Sequence, residues 1–149
     1  MIRNATIEDI PAIAAIGAHF HAVAGWSDIA GYSADDCAKS IAAMMEAGSG
    51  LFVVADEDGE IAGMAGGVVF PLYFNSQHLS GQELFLWVEE QQRDGLGGNL
   101  LAALEDEARK AGCDSWSMIA LDKVRPAATG ALYKRRGYRA AEHSWMKRL

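Results

Sequence analysis

A chain of 149 residues, half of them hydrophobic and 22% charged, has the size and composition of one globular domain and not of a disordered segment. A formal net charge of −7 argues against a general nucleic-acid or anionic-membrane binder, and no apolar run approaches the ~18 residues that span a bilayer. Cys37 and Cys113 lie in unrelated patterns and no secretory h-region follows Met1, so reduced thiols in a cytoplasmic protein are expected.

No repeat, low-complexity tract or linker divides the chain, so a single domain over residues 1–149 is expected. Ile2-Arg3-Asn4-Ala5 reads as a short strand. Thr6 with Asp9 forms an acidic variant of the capping box, Pro11 sits near a helix start, and Ile13, Ile16, Phe20 and Val23 recur at helical spacing. Ser33 is a good N-cap for a second helix through Cys37, Ile41, Met44 and Met45 to Gly48. Leu51–Ala55 and Ile61–Phe70 flank an Asp-Gly turn and predict a hairpin. Gly66-Gly67 inside its second strand predicts a bulge or a close backbone approach. Glu83–Val88 is apolar on both faces, as in a strand buried on both sides. Leu96, Leu100, Leu101, Leu104, Ala108 and Ala111 trace one helical face that stops at Gly112. Trp116–Leu121 predicts a strand, Ala127–Arg136 a short helix, and Tyr138–Met146 a last strand. The order β-α-α-β-β-β-α-β-α-β predicts an α/β fold: an antiparallel meander, then a parallel β-α-β crossover, in one mixed sheet with helices on both faces.

The segment richest in chemistry is Gln92-Arg93-Asp94-Gly95-Leu96-Gly97-Gly98-Asn99, which follows a buried strand and opens an amphipathic helix. Glycines let a ligand approach the backbone, and the first helical turn presents amide N–H groups, so this is an anion site. A Walker loop would need Gly-Lys-Ser/Thr, which is absent. The dinucleotide fingerprint would need Gly or Ala where Leu100 stands.

The segment resembles instead the Q/R-x-x-G-x-G/A signature of the GNAT acetyltransferases, with Gln92, Gly95 and Gly97 at the defining positions. Ala131-Leu132-Tyr133-Lys134-Arg135-Arg136-Gly137-Tyr138 is similar to that family's C-terminal ending, and the element order agrees over nearly the whole chain. Pro126 departs from the pattern, standing where many members carry an asparagine. The resemblance implies that acetyl-CoA is the co-substrate, with no metal. Residues 92–99 would wrap its pyrophosphate, through the main chain at Arg93 and Asp94 and with Asn99 in reach of an oxygen. Leu86, Trp87 and Val88 would supply main-chain partners to the pantetheine arm where the family's strands splay apart. Tyr133 would serve the departing thiolate. An N-acetyltransferase acting on a primary amine by direct attack is the expected function. A non-catalytic acyl-CoA-binding relative is the alternative, and family habit leaves a homodimer open.

A lysine-like amine with a reference pKa near 10.4 is mostly protonated at pH 7, so attack on a thioester calls for a base. Alternation places Glu83, Phe85, Trp87 and Glu89 on one strand face, opposite Leu84, Leu86 and Val88. Glu83 heads an otherwise buried strand and is the first candidate base. His78, in an irregular segment before that strand, is the second candidate. His19 and His21 are two apart on a helix and face different ways, which suits no shared metal. The acidic body and the basic end around Lys134, Arg135, Arg136 and Arg139 suit a cationic amine and a phosphorylated co-substrate, without naming the acceptor.

Overall fold

The computed structural model describes residues 1–92 and 95–149, except for the side chain of residue 92. The chain opens with β1 (Ile2–Asn4) and a 3-10 turn (Ile7–Asp9), then α1 (Ile10–Ala24) and α2 (Ala34–Glu46). The meander follows as β2 (Gly50–Glu57), β3 (Glu60–Leu72) and β4 (Asn75–Val88). After a second 3-10 turn (Glu90–Gln92) come α3 (Leu96–Lys110), β5 (Ser115–Ser117) and α4 (Pro126–Arg135).

Local chemistry sets these boundaries. The Asp9 carboxylate accepts from the Thr6 amide at 2.7 Å and from both terminal nitrogens of Arg3, fastening the first helical turn to β1. Arg3 also reaches Asp56 on β2 at 2.7 Å, so one guanidinium joins three elements. The Ser33 hydroxyl accepts from the Asp36 amide and caps α2. Asp58 and Gly59 both have positive φ, 54° and 92°, as the tight β2–β3 turn requires.

The sheet order is β1-β2-β3-β4-β5, antiparallel except for the parallel β4–β5 pair. Alternating β2 residues go to opposite faces. Phe52 and Val54 join Ile13, Ile41, Met64 and Trp87 under α1 and α2, while Val53 joins Ala65, Val88, Leu100 and Leu104 under α3. Leu100, Leu101 and Leu104 have no solvent exposure, each contributing roughly 1.5–3 kcal/mol.

Three expectations need correction. β4 begins at Asn75 and not at Glu83, so His78 lies within a strand. The β3–β4 hairpin projects into solvent, with Tyr73 and Phe74 exposed at its tip, and therefore lacks a core-facing periodicity. β5 spans only three residues, because it pairs with β4 over Ser80–Gln82 and then parts from it. The expected strand over 138–146 does not form: β5 is too short to offer it an edge, and Trp145 and Met146 stay exposed.

Candidate active site

The parting of β4 from β5 begins at a bulge. Gly67 lies opposite Glu83 and Gly66 opposite Phe85, so Leu84 is an extra residue on β4. The glycine pair makes this possible. A Cβ on Gly67 would sit 2.3 Å from the Gln82 carbonyl oxygen, and one on Gly66 would sit 2.2 Å from the Phe52 ring. The bulge expected at Gly66-Gly67 is present, but it overturns the expected alternation. Phe85 stacks on Phe52 under α1 and α2, at 5.9 Å between ring centroids. Glu83 is in register with Gly67, which faces Trp116 on the opposite side. Glu83 and Phe85 therefore point to opposite faces, because the extra residue shifts the period by one.

Turned this way, Glu83 enters the gap that β5 leaves. Its side chain takes the place of a strand partner: the Ile119 amide donates to Oε2 at 2.7 Å. The Tyr133 hydroxyl, carried in by α4, donates to the Ile119 carbonyl at 2.9 Å and lies 3.4 Å from the same Oε2. Both of these contacts fall on Oε2, and Oε1 accepts no hydrogen bond among the described residues. Glu83 is 5% exposed and Tyr133 8%. Burial pushes the Glu83 carboxyl up to about 7, against the opposing pull of the Ile119 amide and the Tyr133 hydroxyl. Burial and the nearby Glu83 charge push the Tyr133 phenol well above its ordinary value.

The glycine turn lies next to this cluster. Gly95 caps α3 at φ 76°, a conformation that favours glycine. The Gly98 and Asn99 amides turn back to the Gly95 carbonyl. Leu96 and Gly97 carry amides that a helix start leaves without an intrahelical acceptor. A Cβ on Gly97 would meet only Val88 Cγ2, at an ordinary 3.8 Å. Internal packing therefore does not demand glycine there, whereas a ligand approaching the main chain would. A Cβ on Gly98 would lie 3.6 Å from Leu132, the residue before Tyr133, so the α3 start rests between the end of β4 and α4. Farther along, Glu105 of α3 binds Arg136 and the Tyr138 hydroxyl, fixing the end of α4.

Leu86 and Val88 pack under α3, Trp87 packs under α1, and Leu96 joins the α3-side cluster, while Asn99 is exposed on the first turn. Arg93 and Asp94, with the side chain of Gln92, lie outside the described residues. His78 is not brought into the cluster. Its Nε2 pairs with Ser115 Oγ at 2.9 Å, five residues and about 17 Å along β4 from Glu83. His19 Nδ1 pairs with Glu89 and His21 Nε2 with the Ala30 carbonyl, so these two histidines do not converge. The role of Ile119, whose backbone holds both Glu83 and Tyr133, carries no side-chain signal and is invisible in the sequence.

A mixed sheet whose parallel pair parts beside a glycine-started helix defines the acetyltransferase class of α/β proteins. The model of the acetyltransferase (GNAT) family matches residues 20–138, and the chain belongs to that family. Among similar solved structures, a predicted acetyltransferase with acetyl-CoA from Clostridium acetobutylicum superposes with a TM-score of 0.77 at 19% identity, covering 99% of this chain and 94% of that one. A ribosomal-protein-alanine N-acetyltransferase from Brucella melitensis gives 0.74 at 26% identity, covering 92% and 83%. A glucosamine-6-phosphate N-acetyltransferase from Arabidopsis thaliana gives 0.71 at 16%, covering 99% and 96%. No curated protein matches the chain in sequence.

Proposed function

We propose that this protein transfers the acetyl group of acetyl-CoA to a primary amine by direct attack, with Glu83 as the base. The observation that carries the reading is the carboxylate in the β4–β5 gap, buried, tuned to about 7, and bonded through Oε2 alone. Above pH 7 it is charged and accepts the ammonium proton. The amine nitrogen then bonds to the acetyl carbon as the carbon–sulfur bond breaks, and the second proton that the nitrogen sheds passes to the departing thiolate, which leaves as the thiol.

Tyr133 supports the leaving sulfur by turning its one hydroxyl proton from the Ile119 carbonyl toward it, as a hydrogen bond and not as a transferred proton. A phenol pushed well above its ordinary 10 loses a proton only uphill to a thiolate whose reference pKa is ~8.5. The α3 start receives the pyrophosphate on the Leu96 and Gly97 amides, with Gly95 and Gly98 leaving the approach clear, the Asn99 side chain in reach, and the helix dipole adding to the attraction. The similar solved structures named above are all acetyltransferases, which supports the same chemistry.

The test is thiol release from acetyl-CoA with a panel of primary amines across pH. kcat/KM should rise through an apparent pKa near 7. In Glu83→Gln the plateau should drop and the rise should move toward the amine's own pKa. A Glu83→Gln profile that overlays the wild type would remove Glu83 from the reaction. An absence of thiol release with every amine, despite acetyl-CoA binding, would favour the non-catalytic alternative.

A further inference from the structure

The other face of β4 holds a recess of about 130 Å³ between the sheet and the first two helices. Ile13, Phe20, Met64 and Phe85 wall it, Cys37 borders it, and Trp26, 43% exposed in the α1–α2 connection, stands at its mouth. Its surface is almost wholly apolar, and no carboxylate is among the residues lining it. Two of its polar side chains are engaged with backbone: His21 pairs with the Ala30 carbonyl, and the Tyr32 hydroxyl donates to the Ala14 carbonyl.

The recess lies across β4 from Glu83, at the level of the bulge where β4 has parted from β5. Phe85 follows Glu83 directly across the bulge, since their partners Gly67 and Gly66 are consecutive residues of β3, and the two side chains leave the strand on opposite faces. The segment after β5 links the two places. Ile119 holds Glu83, and five residues later Val124 packs against the cluster that walls the recess. Lys123 passes beside Gly25 and Asp28, in the same connection as Trp26.

We infer that this recess seats the body of the acceptor, which is a primary amine bearing a compact aromatic or branched-aliphatic group. The inference rests on the acetyl-transfer reading above. An apolar cavity of roughly 150 Å³ holds a benzene ring, so this volume takes one phenyl or leucine-sized group and little more. A polyamine is excluded as occupant, because it would bring an ammonium group into a lining with no counter-charge. A free arylalkyl or alkyl amine and the N-terminal residue of a peptide share this chemistry.

Two measurements on the full chain, both in a Cys113→Ser background, test it. The first compares kcat/KM for phenethylamine, isoamylamine, a phenylalanyl peptide, ethylamine and spermidine. The second follows maleimide alkylation of Cys37 with and without phenethylamine, in the absence of acetyl-CoA. Phenethylamine or the phenylalanyl peptide should exceed ethylamine and spermidine by about tenfold or more, the two arms telling free amine from peptide. Phenethylamine should also slow alkylation of Cys37, and Trp26→Ala should lower the phenethylamine-to-ethylamine ratio. Equal turnover of spermidine and phenethylamine, with Cys37 alkylated at an unchanged rate, overturns the assignment while leaving acetyl transfer standing. Protection of Cys37 with no turnover of any amine supports the recess as a binding site and defeats the acetyl-transfer reading.

Discussion

The fold holds Glu83 where a carboxylate is uncomfortable, as its proposed role as a base requires, and that discomfort has a measurable sign. Its folded value of about 7 lies above the ordinary 4.5, so the folded protein binds more protons than the unfolded chain between those limits. Stability therefore falls as pH rises from 4.5 to 7, by roughly 3 kcal/mol in all. Glu83→Gln keeps an acceptor for the Ile119 amide but carries no charge. It should match the wild type near pH 5 and exceed it at pH 8, read as urea midpoints at the two pH values. Tyr133→Phe probes the same oxygen from the other side. The hydroxyl is one of the two groups holding the carboxyl down, so its loss should move the pH–rate midpoint above 7 and cut turnover about ten- to a thousandfold. A fall in rate with an unmoved midpoint would mean that the 3.4 Å contact carries no bond.

At the scale of elements, glycines divide sharply by what surrounds them. Gly67 carries the bulge, and a methyl there would strike backbone, which cannot step aside. Gly67→Ala should cost about 1–3 kcal/mol. Gly130, inside α4, has nothing within 4 Å of an added Cβ and no unusual φ. Gly130→Ala should instead stabilise by about 0.4–1 kcal/mol. Chemical denaturation of both variants decides whether the bulge glycines are structural requirements of the site or tolerated gaps. The same elements show how far a sequence can be read. The Gly66-Gly67 pair announced a bulge, but alternation alone still put Glu83 and Phe85 on one face. A pattern of period two cannot tell which strand receives the extra residue, and that choice decides where Glu83 points.

For the whole molecule, two electrostatic devices bracket the stable range. Arg3 holds the Asp9 carboxyl far below its ordinary 3.8 and also lowers Asp56, so their support is present above that value and is lost progressively as pH falls below it toward their lowered folded values. Glu83 acts in the opposite sense from 4.5 upward. Stability should therefore peak between about pH 4 and pH 5, decline to about 7, and then level off. A midpoint that still climbs between pH 5 and pH 8 would contradict the assignment at Glu83. The architecture behind these devices was largely legible: both early helices, the hairpin, the α3 face and the glycine helix start stand where periodicity and capping residues put them. The β4–β5 parting was implied by the family resemblance alone and not by the residues themselves. It depends on a backbone amide at Ile119 finding a carboxylate, and backbone groups leave no mark in a sequence. The absent final strand was also beyond reach, since a strand needs an edge as well as suitable residues.

Gly66 has one more consequence. It touches neither the carboxylate nor any ligand, yet its bare Cα is what lets the Phe52 ring lie flat across the sheet, and Phe52 in turn supports Phe85. Any side chain at 66 must displace Phe52, and Phe85 forms one wall of the apolar recess. Acceptor preference can thus drift through a single change at a residue that lines neither the recess nor the carboxylate's gap. Paralogues of this chain could acquire new substrates with their reacting groups left untouched.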